Sequence, residues 1–204
     1  TMLIKEITEG RYDPYTNKAI FFAGGAGAGK TFIARQLAST FHGLKQVNPD
    51  IALKHLLKKT NLSLKMPPEE EYFKNLLRQR SKQISGRSQQ IYQREKLGML
   101  IDTTGRSYMM IADTKKELED AGYTTAMIFV DADLATQLKR NTTRERQVPE
   151  KVIKNNYNTI KQNQGKYEQL FGDQFFYINN SQSAQGKIED NIQQLEKNLR
   201  NFLK

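Results

Sequence analysis

Residues 19–31 read AIFFAGGAGAGKT, from Ala19 to Thr31. A short apolar run enters a loop of glycine and alanine that closes on Lys30 and Thr31, and Phe32–Phe41 (FIARQLASTF) then repeats apolar side chains at helical spacing. The order is strand, glycine loop, helix. Within it Gly24–Thr31 (GGAGAGKT) fits G-x-x-x-x-G-K-[ST]. A loop that wraps a phosphate must turn its amide hydrogens inward, through φ values that side chains obstruct, which is why glycines recur there. The backbone of Gly24, Gly25, Ala26, Gly27, Ala28, Gly29, Lys30, Thr31 and Phe32 is therefore a candidate phosphate cradle. Lys30 would neutralise the β and γ phosphates, and the Thr31 hydroxyl is placed to ligate magnesium. An ordinary flexible turn is the competing reading, and the Lys-Thr pair in register with strand and helix argues against it.

Working outward, four more short apolar runs alternate with helical patterns: Leu44–Asn48 (LKQVN), Met99–Asp102 (MLID), Ala126–Asp131 (AMIFVD) and Phe175–Ile178 (FFYI). Such alternation predicts a parallel sheet covered by helices on both faces, a three-layer α/β/α sandwich. Helices are expected over 31–41, 49–59, 69–97, 108–121, from 134 onward, over 149–170 and over 187–203. Pro67-Pro68 followed by Glu69, Glu70 and Glu71 reads as a helix start, with acids at the positive end of the macrodipole. Asp133 before LATQL reads as an N-cap. Gly86 is a candidate break within the long 69–97 stretch. A second metal ligand is expected at the end of a strand beside the loop, and Asp102 in MLIDTTG fits; capping the next helix is its plainer role.

Composition narrows the chemistry. In 204 residues there is no cysteine, which excludes disulfides, thiolate metal sites and cysteine nucleophiles together, and the two histidines, His42 and His55, are isolated. Any metal should be held by oxygen. Thirty-two basic against 22 acidic residues leave a net charge of +10, which favours anionic partners, although a lysine surplus also simply keeps a protein soluble. No apolar run approaches the ~20 residues of a membrane span, so no membrane partner and a reducing cytoplasm are expected, bacterial or in an infected host cell.

Taken in order, GGAGAGKT, VNPD (Val47–Asp50), LIDTTG (Leu100–Gly105) and LKRNTTRERQVP (Leu138–Pro149) resemble the P-loop kinases of the polynucleotide kinase and zeta toxin group, over Lys18 to about Asn180. The resemblance implies one P-loop kinase domain over residues 1–204. It has an N-terminal arm (1–18), a helical acceptor-binding insertion (60–97), a helical lid (138–149) and a five-stranded sheet in the order 2-3-1-4-5. It implies ATP and Mg2+ as cofactors and transfer of a γ-phosphoryl group to an acceptor hydroxyl. Asp50 matches the aspartate that takes the proton of the attacking hydroxyl in that group; on the residues alone, Asn48-Pro49-Asp50 is equally a helix start in which Asn48 or Asp50 caps. Arg140, Arg144 and Arg146 match the lid arginines that meet the phosphates, against a plainer reading as a solvated basic face.

The acceptor is the open question. Lys74–Lys96 offers Arg78, Arg80, Lys82, Arg87 and Arg94 with Tyr92 for stacking, a surface that could track a nucleic-acid backbone or clamp one phosphate. A polynucleotide 5′-hydroxyl or nucleotide-like acceptor is expected first, and a nucleotide sugar as the alternative. A reading from another class is an ATP-dependent switch or nucleic-acid-binding protein that transfers nothing. Oligomeric state is not readable. Asn179 and Asn180 read as turn residues.

Overall fold

The computed structural model describes residues 13–62, 70–143 and 148–204. Five strands form one parallel sheet: β1 (Lys18–Ala23), β2 (Lys45–Val47), β3 (Met99–Thr103), β4 (Thr124–Asp131) and β5 (Phe175–Asn179), in the order β2-β3-β1-β4-β5. The expected topology is the observed one. Placing β1 at the centre delivers the glycine loop to the middle of the carboxyl edge, with the ends of β3 and β4 on either side.

The central strands are buried on both faces, as helices covering both sides of the sheet require. Ile20 and Phe22 of β1 join Ile128 and Val130 of β4 on one face. There they meet Ile33 of α1 (Lys30–Gln36), Phe41 of α2 (Ala38–Phe41), and Ile192, Leu195 and Leu199 of α8 (Ile188–Leu203). On the other face Phe21, Met127 and Phe129 meet Ile111 and Leu118 of α5 (Tyr108–Asp120), and Ile160, Tyr167 and Phe171 of α7 (Glu150–Phe171). Helices α3 (Pro49–Lys59), α4 (Glu71–Arg94) and α6 (Leu134–Thr142) complete the described elements apart from two short 3-10 turns.

Two local readings hold in detail. Asp133 caps α6, its carboxylate accepting from the Thr136 N–H at 2.7 Å, and its pKa is lowered chiefly by that bond. Helix α3 runs over Pro49–Lys59, with proline in the first turn. Two others are corrected. Gly86 does not break α4, which is continuous over 24 residues. A single interior glycine costs only about 1 kcal/mol against alanine, and Ser81 and Ser85 bury the adjoining face, so packing holds the turn. Tyr92 does not offer its ring for stacking: it is half-buried against the core, and its carbonyl accepts from the Tyr123 hydroxyl at 3.0 Å. The proposed start at Pro67-Pro68-Glu69 lies outside the described residues. Among those described, no helix is long and apolar enough to cross a membrane.

Leu199 is fully buried between α8 and the sheet. Leu199→Ala is expected to cost about 2–5 kcal/mol, read as a lower urea midpoint with an unchanged slope.

Candidate active site

The loop 24–31 leaves β1, crosses the carboxyl edge of the sheet and turns into α1, whose first turn begins at Lys30. Its glycines answer to close neighbours. Gly27 has φ +85°, and a Cβ there would lie 2.6 Å from the carbonyl oxygen of Gln137 in α6. Gly29 has φ +95°, and a Cβ there would sit 2.0 Å from Nδ2 of Asn180. The loop is thus wedged between α6 and the turn after β5, and only glycine fits at both points. Asn180 is buried and donates from Nδ2 to the Ala28 carbonyl at 2.8 Å, while its own N–H donates to the Asp131 carbonyl at 2.7 Å. A residue read from sequence as plain turn chemistry therefore ties the loop to the end of β4. Its contact spans 152 positions, and no local pattern announces it.

Lys30 donates from Nζ to the Gly24 carbonyl at 2.8 Å and lies 3.6 Å from Oδ1 of Asp102 at the end of β3. Oδ2 of Asp102 accepts from Asn48 Nδ2 at 2.8 Å, and Oδ1 of Asn48 in turn accepts from the Asp50 N–H at 2.8 Å. One asparagine therefore both caps α3 and holds the β3 carboxylate. That settles which of Asn48 and Asp50 caps the helix. Asp50 in the first turn lies beside the positive end of the α3 dipole, which favours a carboxylate there, and it lines the same cleft as Lys30, Thr31 and Asp102. The cleft has a volume of about 1040 Å3 and also carries Arg140, Lys54 and Asn156.

Burial pushes the Asp102 carboxyl above the ordinary carboxylate range. Lys30 opposes the shift and neighbouring Asp50 adds to it. Oδ1 of Asp102 is buried and accepts no hydrogen bond. A carboxylate so placed, with the Thr31 hydroxyl lining the same cleft, offers the all-oxygen set that magnesium takes. Among the described residues no three His, Asp or Glu side chains cluster into a metal cage, so magnesium here would lean on phosphate oxygens for most of its shell.

Of the three arginines expected on a lid, Arg140 is in the cleft, its Nη1 at 3.3 Å from the Gly27 carbonyl and 3.4 Å from that of Ala28. Arg144 and Arg146 lie outside the described residues. Asn141 accepts from the Val148 N–H and donates to its carbonyl, both at 2.9 Å, which fastens Val148 to α6. Phe32 is exposed on α1. Beyond the cleft Asp131, buried at the end of β4, pairs with Lys161 at 2.7 Å and accepts from the Tyr177 hydroxyl at 2.8 Å.

A parallel sheet of this order with a glycine loop at its centre defines the P-loop kinase fold. A family model for an AAA domain, AAA_33, matches residues 20–166, and the chain belongs to that family. Known structures share the fold at low identity. The shikimate kinase of Bacteroides thetaiotaomicron is 14% identical with a TM-score of 0.55, the match covering 89% of this chain and 98% of that one. The PezAT toxin–antitoxin system of Streptococcus pneumoniae gives 16% identity and a TM-score of 0.56, covering 99% and 93%. The AvrRxo1-ORF1:ORF2 complex with ATP gives 15% and 0.66, covering 87% of this chain but 61% of that one. No curated protein matches in sequence.

Because its folded-state pKa is raised, Asp102 favours folding in its neutral form: that contribution is present at low pH and is lost as pH rises through the folded pKa. At neutral pH the charged carboxylate is a net cost. Asp102→Asn should therefore raise the melting temperature at pH 7 without ligand, and the gain should vanish as pH falls towards about 4. Differential scanning calorimetry across that range checks it.

Proposed function

We propose that the protein is a phosphotransferase that moves the γ-phosphoryl group of ATP to a hydroxyl seated beside Asp50, with a polynucleotide 5′ end or a nucleotide-like molecule as the acceptor class. The observation that carries the reading is the convergence of Lys30, Thr31, Asp50, Asp102 and Arg140 on one cleft at the glycine loop.

The loop amides and Lys30 hold the triphosphate, and Arg140 lies within reach of a phosphoryl group that spreads charge over its equatorial oxygens. The acceptor oxygen attacks the γ phosphorus in line; the new O–P bond forms as the bond to the β–γ bridging oxygen breaks, and ADP leaves. Asp50 orients the hydroxyl and takes its proton late in a loose transition state. Magnesium, held through Thr31 and Asp102, would supply neutralisation of charge on the β and γ phosphates.

Incubation with γ-labelled ATP against separate pools of oligonucleotides, nucleotides and nucleotide sugars tests the reading. Label in the oligonucleotide or nucleotide pool supports it; label in nucleotide sugars alone would replace the acceptor class, and label in none would leave a switch. Asp50→Asn should lower transfer by about 10²–10⁴ while ATP affinity stays within a few-fold. Lys30→Ala should abolish nucleotide binding itself, seen by isothermal titration.

A further inference from the structure

We infer that the α3–α4 hairpin is a binding surface for single-stranded nucleic acid, running along the exposed stripe of α4 from Tyr72 to Arg94. Charge is the first ground. Helices α3 and α4 together carry nine lysines and arginines against Asp50 and Glu71, and with Lys74 buried against Glu70, six of the chain's surplus of ten positive charges remain on these two elements. The remainder of the molecule is close to balanced. A surplus spread for solubility would not collect on one hairpin.

Register is the second ground. Phe73, Arg80, Arg87 and Arg94 recur at intervals of seven residues, which on an α-helix puts them on one side about 10.5 Å apart. All four are exposed, and Leu76 extends the stripe. Among the described residues neither Arg80 nor Arg87 has an acidic partner; Arg80 reaches only Gln83, at 3.4 Å, and Arg94 alone pairs, with Glu95. Arg80 and Arg87, two guanidinium groups left without carboxylates about 10.5 Å apart, with the exposed Arg94 about 10.5 Å further on, suit a chain of phosphates.

The third ground separates a single strand from a duplex. Tyr72 is 71% and Phe73 58% exposed, and their rings meet edge to face at 5.6 Å at the start of the arginine stripe. Large aromatics in water next to unpaired arginines match what a single strand needs: faces for unstacked bases and cations for the backbone. A duplex keeps its bases stacked and gains nothing from the rings. The hairpin also adjoins the cleft, since Lys54 of α3 lines it and Lys58 comes one turn on. Binding to this surface does not require that transfer occur.

The test is fluorescence anisotropy of the whole chain with a labelled 20-nucleotide single strand, in RNA and DNA form, without ATP, across a salt series. Three arginine–phosphate contacts predict a slope of log affinity against log salt of about −2. Arg80→Gln with Arg87→Gln should flatten it by about 1.4. Tyr72→Ala with Phe73→Ala should weaken binding about 5- to 150-fold at unchanged slope. These exposed positions are far from the core, and unaltered circular dichroism and ATP-analogue binding in each variant would show that fold and cleft are intact. A flat salt response, equal binding of the matching duplex, equal competition by polyglutamate, or variants indistinguishable from the parent would each overturn the inference; polyglutamate competition would assign the face to an acidic protein. If wild type binds the strand but no ATP analogue, the phosphotransferase reading fails and this one stands.

Discussion

The cleft depends on a close approach between a backbone and its neighbours. At Gly27 and Gly29 the loop passes α6 and the turn after β5 with no room for a β-carbon. This constraint links elements far apart in sequence, because the loop keeps its shape only while Gln137 and Asn180 stay where they are. Gln137 is itself held by its side chain to the Ala132 carbonyl, and Asn180 by its N–H to that of Asp131. Both anchors therefore lead back to the end of β4, beside β1 in the sheet. The cradle is preformed by the sheet, so ordering it does not have to be offset by ligand binding.

The carboxyl edge shows the opposite economy. Asp102 stays half-buried with one oxygen lacking a hydrogen bond and with a second carboxylate near enough to raise its pKa. A core selected for stability alone would place an amide or an apolar group there. Its place beside Lys30 suits a cleft that handles charge.

Much of this was legible in the sequence because the deciding signals are local. The glycine loop, the apolar runs, Asp133 and the Pro49 helix start each act through neighbours a few residues away, and the structure has them where the pattern places them. Strand order came from resemblance, since periodicity has no information about which strand is central. What escaped was long-range. Asn48 shares its side chain between a helix start and a strand 54 residues on, and Asn180 supports a loop 152 residues back. Amides doing such work look like turn residues, because the same donors and acceptors serve both. Gly86 misled for the complementary reason: propensity is a small local cost, and the packing of α4 through Ser81 and Ser85 outweighs it.

Helix α6 is where the loop and the candidate lid meet. Within two turns Gln137 presses on Gly25 and Gly27, Arg140 bonds the Gly27 and Ala28 carbonyls, and Asn141 clasps Val148. A rigid helix transmits displacement along its axis, so a shift that moved Asn141 would also move the carbonyl of Gln137 against a loop with no clearance. The two ends cannot adjust independently. Any rearrangement of the chain beyond Arg140 must leave α6 in place or reshape the cradle, and the tightness at Gly27 favours the first. The economical design is a fixed α6 with Arg140 already at the loop.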